Sequence, residues 1–385
     1  MATALDLLDI APFVQSAEHA LFAQLRATPG LAFNPEHDGP GFWSVTRHAE
    51  VAAAARDHLQ LLSGAGTQIR DRRAEGHGHP SVHNADPPLH GKLRAVVLRP
   101  LSPSAIRART ARIDAIARRL VAAIEPGVTF DFVADLAVRL PMLVLADVLG
   151  VPATEADALV SWANRMSDVG ASDAEQADAR AQLFGYFRDL ADAKRRQPAD
   201  DVATALVQSD LEAGALDAYF MLLTVAGNET TRFLLTGGLA QLSRQPDVYS
   251  EVRADRRLID PLIEEMCRFV SPVAHMRRTA AHDLLLSGTA IPRGGKVVLW
   301  FASANHDETV FNRPGQLELD RQDNPHLGFG IGAHFCVGAH LARLEARLFL
   351  AALFDRVARF ELVGTPERLP SNWFTGWTKM PVRLS

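Results

Sequence analysis

The chain has 385 residues, a formal net charge of −5, 48% hydrophobic residues and 22% charged ones. That balance belongs to a globular enzyme and excludes a disordered chain. The negative charge argues against binding driven by attraction to nucleic-acid phosphates. The opening "MATALDLLDIAPFVQ" has no basic segment ahead of an apolar one, so no signal peptide is expected. Apolar spacing and helix-forming composition predict helices over 18–27, 48–57, 105–124, 130–149, 154–168, 174–196, 213–244, 259–269 and 338–356. Strand signals are "GFWSVT" (41–46), "DLLLSGTAI" (283–291), "KVVLWFAS" (296–303) and "KMPVRL" (379–384). Residues 61–88 lack periodicity, and a loop of that length in a compact enzyme is expected to be functional. The longest apolar runs, "LPMLVLADVLGV" and "YFMLLTVAG", fall short of the ~18–20 residues of a membrane span. A mainly α fold with small β-sheets, in one domain over 1–385, is the simplest expectation.

Two cysteines, Cys267 and Cys336, make no disulfide framework and fit a reducing cytoplasm. Cys336 lies in "FGIGAHFCVGAHLAR" (329–343) and has four readings. It is a small buried hydrophobe, a zinc ligand with His334 and His340, a nucleophile, or a thiolate ligand to haem iron. Zinc lacks a fourth ligand, and a nucleophile lacks a base beyond His334. The haem reading gives the glycines a reason: Gly330, Gly332 and Gly338 let the backbone turn tightly, with φ > 0, close to a flat group. Backbone N–H groups and the start of the following helix would favour a thiolate there.

In "LLTVAGNETTRFLL" (222–235), Glu229 and Thr230 sit among residues apolar nearly all round the helix. Such a helix is buried, so an acid and an alcohol within it need partners or a role.

The string at 329–343 resembles the haem-ligand loop of the cytochrome P450 family, F-G-x-G-x-H-x-C-x-G-x-x-L-A-R, at every fixed position. The second string resembles the family's oxygen-side groove, A-G-x-[DE]-T, at Ala226, Gly227, Glu229 and Thr230. The resemblance extends over most of the chain and implies the family fold, with a long helix over the haem. It implies Cys336 as the iron ligand within a Phe329–Gly330 turn, and room for O2 at Ala226 and Gly227. It also implies a proton relay through Glu229 and Thr230. "DPPLHGKLR", "MRRTA" and the loop imply His90, Arg94, Arg278 and His334 as partners of the haem propionates. "EEMCR" implies a buried Glu265–Arg268 scaffold pair. The place of its usual third member falls at Gln316, so His306 or Arg321 is expected to substitute.

The implied activity is that of a haem b monooxygenase. It would insert one atom of O2 into a lipophilic molecule of terpenoid, steroid or fatty-acid type, by hydroxylation or epoxidation. With no flavin or nicotinamide fingerprint and no fused reductase, electrons would come from a separate ferredoxin or flavodoxin with its NAD(P)H reductase. Arg94, Arg99, Arg343 and Arg347 are candidates to dock that partner. Substrate contacts are expected from Ile69 with Thr67 and Gln68, from Leu222, Leu223 and Val225, from Val273 and His275, and from Phe374 with Trp373. His275 and Gln68 would place a polar group. A monomer in the cytoplasm, without nucleic acid or membrane, completes the expectation. The rival readings are an H2O2-dependent peroxygenase, against which the acid–alcohol pair counts, and a haem protein that binds or senses without turnover.

Overall fold

The expected helices are formed around one 30-residue helix, Ala213–Leu242. A computed structural model describes residues 6–70, 79–167 and 171–385. At about 1.5 Å per residue the long helix spans about 45 Å. Its flanks bury Phe220, Leu235, Leu239 and Leu242. Helices Arg139–Leu149, Ile259–Val270 and Ala339–Arg356 pack against it. Two glycines make the second contact possible. A Cβ on Gly237 would stand 2.8 Å from Val270 Cγ1, and one on Gly238 would stand 2.0 Å from Met266 Cε.

A five-stranded sheet lies beside the helices, in the order Ala32–Asn34, Phe42–Val45, Lys296–Trp300, His275–Ala280 and Leu61–Leu62. Lys296–Trp300 pairs parallel to Phe42–Val45 and antiparallel to His275–Ala280. All five of its residues are buried, which is why "KVVLW" reads as a continuous apolar run rather than an alternation. The span 283–291 forms a hairpin, with Leu284–Leu286 paired to Thr289–Ile291.

Two expected helices are subdivided. The 105–124 stretch forms Pro103–Arg107, capped by Ser102, and then Thr110–Ala122. The 130–149 stretch opens as a strand, Thr129–Asp131, because Phe130 pairs with Val382 of the C-terminal strand. A π-helical turn, Val133–Ala137, precedes the helix Arg139–Leu149. Tertiary pairing overrides local helix preference there. Helices Leu89–Leu98, Val202–Val207 and Pro246–Ala254 carried too little periodicity to be separated from loops.

Behind the site, Glu265 accepts from Arg268 Nε at 2.7 Å and Nη2 at 2.9 Å, and from Arg321 Nε at 2.9 Å. Arg321 is therefore the third member of this network. Gln316 joins only through its carbonyl, which accepts from Arg268 at 2.7 Å. His306 stands outside it, stacked on His19 with ring centroids 3.7 Å apart.

Candidate active site

Cys336 closes one side of a deep cavity whose opposite side is the long helix. Its backbone N–H donates to Phe329 O at 2.9 Å, which closes the loop on itself. Gly330 (φ 68°) and Gly332 (φ 76°) occupy the left-handed region there. A Cβ on Gly332 would also approach Arg56 Cα to 3.1 Å. Gly338 departs from the sequence expectation, because its φ is −87°. Its contribution is a backbone N–H donated to the Cys336 sulfur. The thiol is exposed, but it opens onto the cavity. Burial pushes its pKa up, while the Gly338 N–H and the charges of Arg94 and Arg343 act to lower it. Cys267, fully buried and pushed up by burial, lines the same cavity.

One edge of the cavity is cationic. Arg278 is 5% exposed, and its guanidinium donates to the carbonyl of Arg277 at 2.9 Å. Burial lowers its pKa to about 10, against a raising influence from Asp86. Asp86 already accepts from the N–H groups of Ser63 and Gly64, at 2.7 and 2.8 Å. The rings of His90 and His334 lie 4.3 Å apart, with His90 Nε2 and His334 Nδ1 buried and unpartnered. His334 Nε2 meets Ser63 Oγ at 3.2 Å. Burial lowers the His90 pKa, and burial together with Arg278 lowers that of His334 to about 3. Arg94 reaches across to Phe335 O at 2.8 Å. Among the described residues no carboxylate forms an ion pair with Arg278, His90 or His334. Cations and orphaned ring nitrogens gathered without an anion are a receptor for carboxylates. A flat macrocycle that carries a metal and carboxylates would fit this donor set.

The opposite wall is a stripe of the long helix: Leu222, Leu223, Ala226, Gly227, Thr230, Thr231 and Leu234. A Cβ on Gly227 would come no nearer than 3.8 Å to Leu145, an ordinary van der Waals contact, so a methyl group would fit there without a clash. Thr230 donates its hydroxyl proton to Ala226 O at 2.7 Å, presenting lone pairs to the cavity. Glu229 is not on the cavity wall. It is buried and ion-paired with Arg232, one helical turn on.

Of the expected substrate contacts, Leu222, Leu223 and Val273 line the cavity, while Thr67, Gln68, Ile69, Val225, His275, Trp373 and Phe374 do not. Ile69 is buried in a cluster with Phe42 and Trp300, and its carbonyl accepts from Lys296 Nζ. Val225 lies on a different face of the helix from the lining stripe. His275 packs edge-on against Trp300 at 4.6 Å. Phe374 packs with its ring tilted against those of Phe233 and Trp373. Of the residues the sequence did not single out, Val82, His83, Leu145, Met276 and Glu345 are on the wall. A signal existed for Glu345 and Arg232, since each is a charged residue on an otherwise apolar helix face. The expected docking arginines are partly committed: Arg343 pairs with Glu264 at 2.6 Å and Arg347 with Asp260.

The cytochrome P450 family model matches residues 188–377. Linalool 8-monooxygenase of Pseudomonas putida is 35% identical over 395 residues, covering 97% of this chain and 97% of the relative. Steroid C26-monooxygenase of Rhodococcus jostii is 33% identical, covering 96% and 83%. A Mycobacterium marinum cytochrome P450 solved with pseudoionone superposes with a TM-score of 0.89 at 33% identity, over 96% of this chain and 95% of that one. Similarity at this level spans the cysteine loop, the cationic edge and the long helix together, and the chain belongs to the cytochrome P450 family of monooxygenases.

Proposed function

We propose that the protein inserts one atom of O2 into a lipophilic small molecule of terpenoid or steroid type, using haem b. Electrons come from a ferredoxin or flavodoxin and its reductase. The observation that carries the substrate class is the wall between the cysteine loop and the long helix, which is built chiefly of Leu, Val, Ala and Phe side chains. Relatives named for linalool and for a steroid agree with it. We further propose a cytoplasmic monomer of one domain, since two unpaired thiols suit a reducing compartment.

A bound haem supplies the redox chemistry of oxygen activation. The chain supplies its setting. Cys336 would hold the iron through its sulfur, with the Gly338 N–H moderating the basicity of that sulfur. His90, Arg94, Arg278 and His334 would hold the propionates. Ala226 and Gly227 leave room on the oxygen side. Thr230 accepts or, after turning from Ala226 O, donates a hydrogen bond there. Glu229 passes protons toward it. The apolar wall excludes water and orients the substrate.

The test is spectroscopic. The reduced, CO-bound protein should show the red-shifted Soret band of a thiolate-ligated haem, and Cys336→Ser should abolish it. A Cys336→Ser protein that retained the band would overturn the assignment. Titration with linalool, a steroid and lauric acid should shift the spin state for the first two. A shift with lauric acid alone would overturn the substrate class.

A further inference from the structure

A second cavity, of about 470 Å³, lies against the last turns of the long helix and shares no lining residue with the cavity at Cys336. Helix Glu18–Ala27, the end of Ile259–Val270 and the C-terminal residues 368–377 help to enclose it. Its size falls within the roughly 300–1,000 Å³ of small-molecule sites. Ala240, Phe269, Val270 and Trp377 give it apolar wall. Its buried polar residues are incompletely satisfied. Glu18 is 2% exposed, and its Oε1 accepts from Arg368 Nη2 at 2.7 Å while Oε2 has no partner. Arg368 also donates from Nη1 to Ser16 Oγ at 3.1 Å, which leaves its Nε–H over. His306 is 4% exposed, and its Nδ1 lies 3.1 Å from Ala302 O. A carbonyl only accepts, so the ring proton is on Nδ1 and Nε2 presents a lone pair. That lone pair meets no donor among the described residues. Burial keeps the ring neutral, and His19 stacks on it.

We propose that this cavity is a second ligand site, separate from the haem cavity, that takes a neutral, lipophilic alcohol. Two buried acceptors and one buried donor are costly while unpaired. A hydroxyl group can donate to the lone pairs of Glu18 or His306 and accept from Arg368 Nε–H. Ions suit the wall less well. Its buried charges are already matched, Glu18 with Arg368 and Arg26 with Glu308 at 2.6 Å. An anion would face the Glu18 and His306 lone pairs, and an ammonium would compete with Arg368 for Glu18. Arg244 is exposed, so its charge stays in water. Among the described residues no group of three or more His, Cys, Asp or Glu side chains is placed to hold a metal ion. The apolar wall then selects the body of the ligand, and the orphaned atoms select its hydroxyl.

The experiment uses the holoprotein with its haem cavity held by clotrimazole, whose nitrogen–iron bond is checked by the Soret shift. Benzyl alcohol, toluene and benzoate are titrated by saturation-transfer NMR. Benzyl alcohol should bind about tenfold more tightly than toluene, and benzoate more weakly than the alcohol. Two variants on different elements locate the site. His306→Phe keeps a ring in the stack but removes the lone pair, so it should bring benzyl alcohol to the level of toluene and leave toluene unchanged. Ala23→Leu, on the cavity wall, should weaken both by filling the space. Equal affinity for benzyl alcohol and toluene, or alcohol binding that neither variant alters, would overturn the proposal. Tighter binding of benzoate would make this an anion site and overturn the ligand class. No binding of any probe would leave the cavity to water and overturn the site itself.

Discussion

Arg278 shows how a single side chain carries a ligand preference. It is buried, burial lowers its pKa to about 10 against the raising charge of Asp86, and among the described residues no carboxylate forms an ion pair with it. A buried cation in that company is costly unless an anion arrives. Arg278→Leu should therefore leave folding intact but loosen the haem. Charge-assisted hydrogen bonds contribute about 1.5–3 kcal/mol, so haem transfer to an acceptor protein should be about 10- to 100-fold faster, with Arg278→Lys intermediate. The cysteine string was legible because its cysteine, histidine and glycines act within one short loop. The neighbouring strand was not, because side-chain direction alternates and the sequence does not give the parity. His275 and Met276 are adjacent, yet Met276 faces the cavity and His275 faces Trp300. The same applies to Val225 beside Ala226, where one step round the helix separates packing from lining.

The long helix contains glycines of two kinds, and the packing around each decides what a methyl group would do. Gly227 has room for a Cβ in ordinary contact with Leu145, whereas Gly237 abuts the branched, buried Val270, with both Cγ atoms within 2.9 Å of an added Cβ. Replacing glycine by alanine in a helix gains about 1 kcal/mol, while overpacking a core costs about 1–3 kcal/mol. Gly227→Ala should raise the denaturation midpoint while narrowing the cavity and weakening binding of bulky ligands. Gly237→Ala should lower the midpoint. The Glu265 network makes a second element-scale prediction. Arg321→Leu leaves Glu265 with Arg268 and should cost about 1.5–3 kcal/mol. Arg268→Leu leaves Glu265 with Arg321 but removes its bidentate partner and orphans the carbonyls of Asn305, Pro314 and Gln316. It should cost more, about 3–5 kcal/mol, measured by denaturant unfolding. Long helices were readable because their apolar period repeats over many turns. The π-helical turn at Val133–Ala137 and the strand Thr129–Asp131 were not, since a distant partner, Pro381–Leu384, decides them.

At the scale of the whole molecule, the fold buries histidines that stay neutral. Burial lowers His19 to about 4 and His275 to about 3, and drives His306 well below its ordinary value. His19 and His306 stack on each other, and His275 rests on Trp300, so all three belong to the layer that joins the N-terminal helices to the sheet. In the unfolded chain each titrates near 6.5. As pH falls below that value the unfolded state takes up protons that the folded state refuses, so stability is full above about 6.5 and declines below it. Each such histidine contributes a slope of about 1.4 kcal/mol per pH unit in this window. Ion-paired carboxylates act lower: Glu264, held by Arg343 and His326 at about 2 despite its burial, contributes stability that is lost only as pH falls from about 4.5 toward 2. The two windows can be separated. Unfolding midpoints measured between pH 7 and 5 should decline in wild type. They should decline less steeply in His275→Phe, which keeps an aromatic ring against Trp300 and removes one titrating site. Parallel wild-type and His275→Phe curves in this range would mean that His275 takes up its proton within the folded protein.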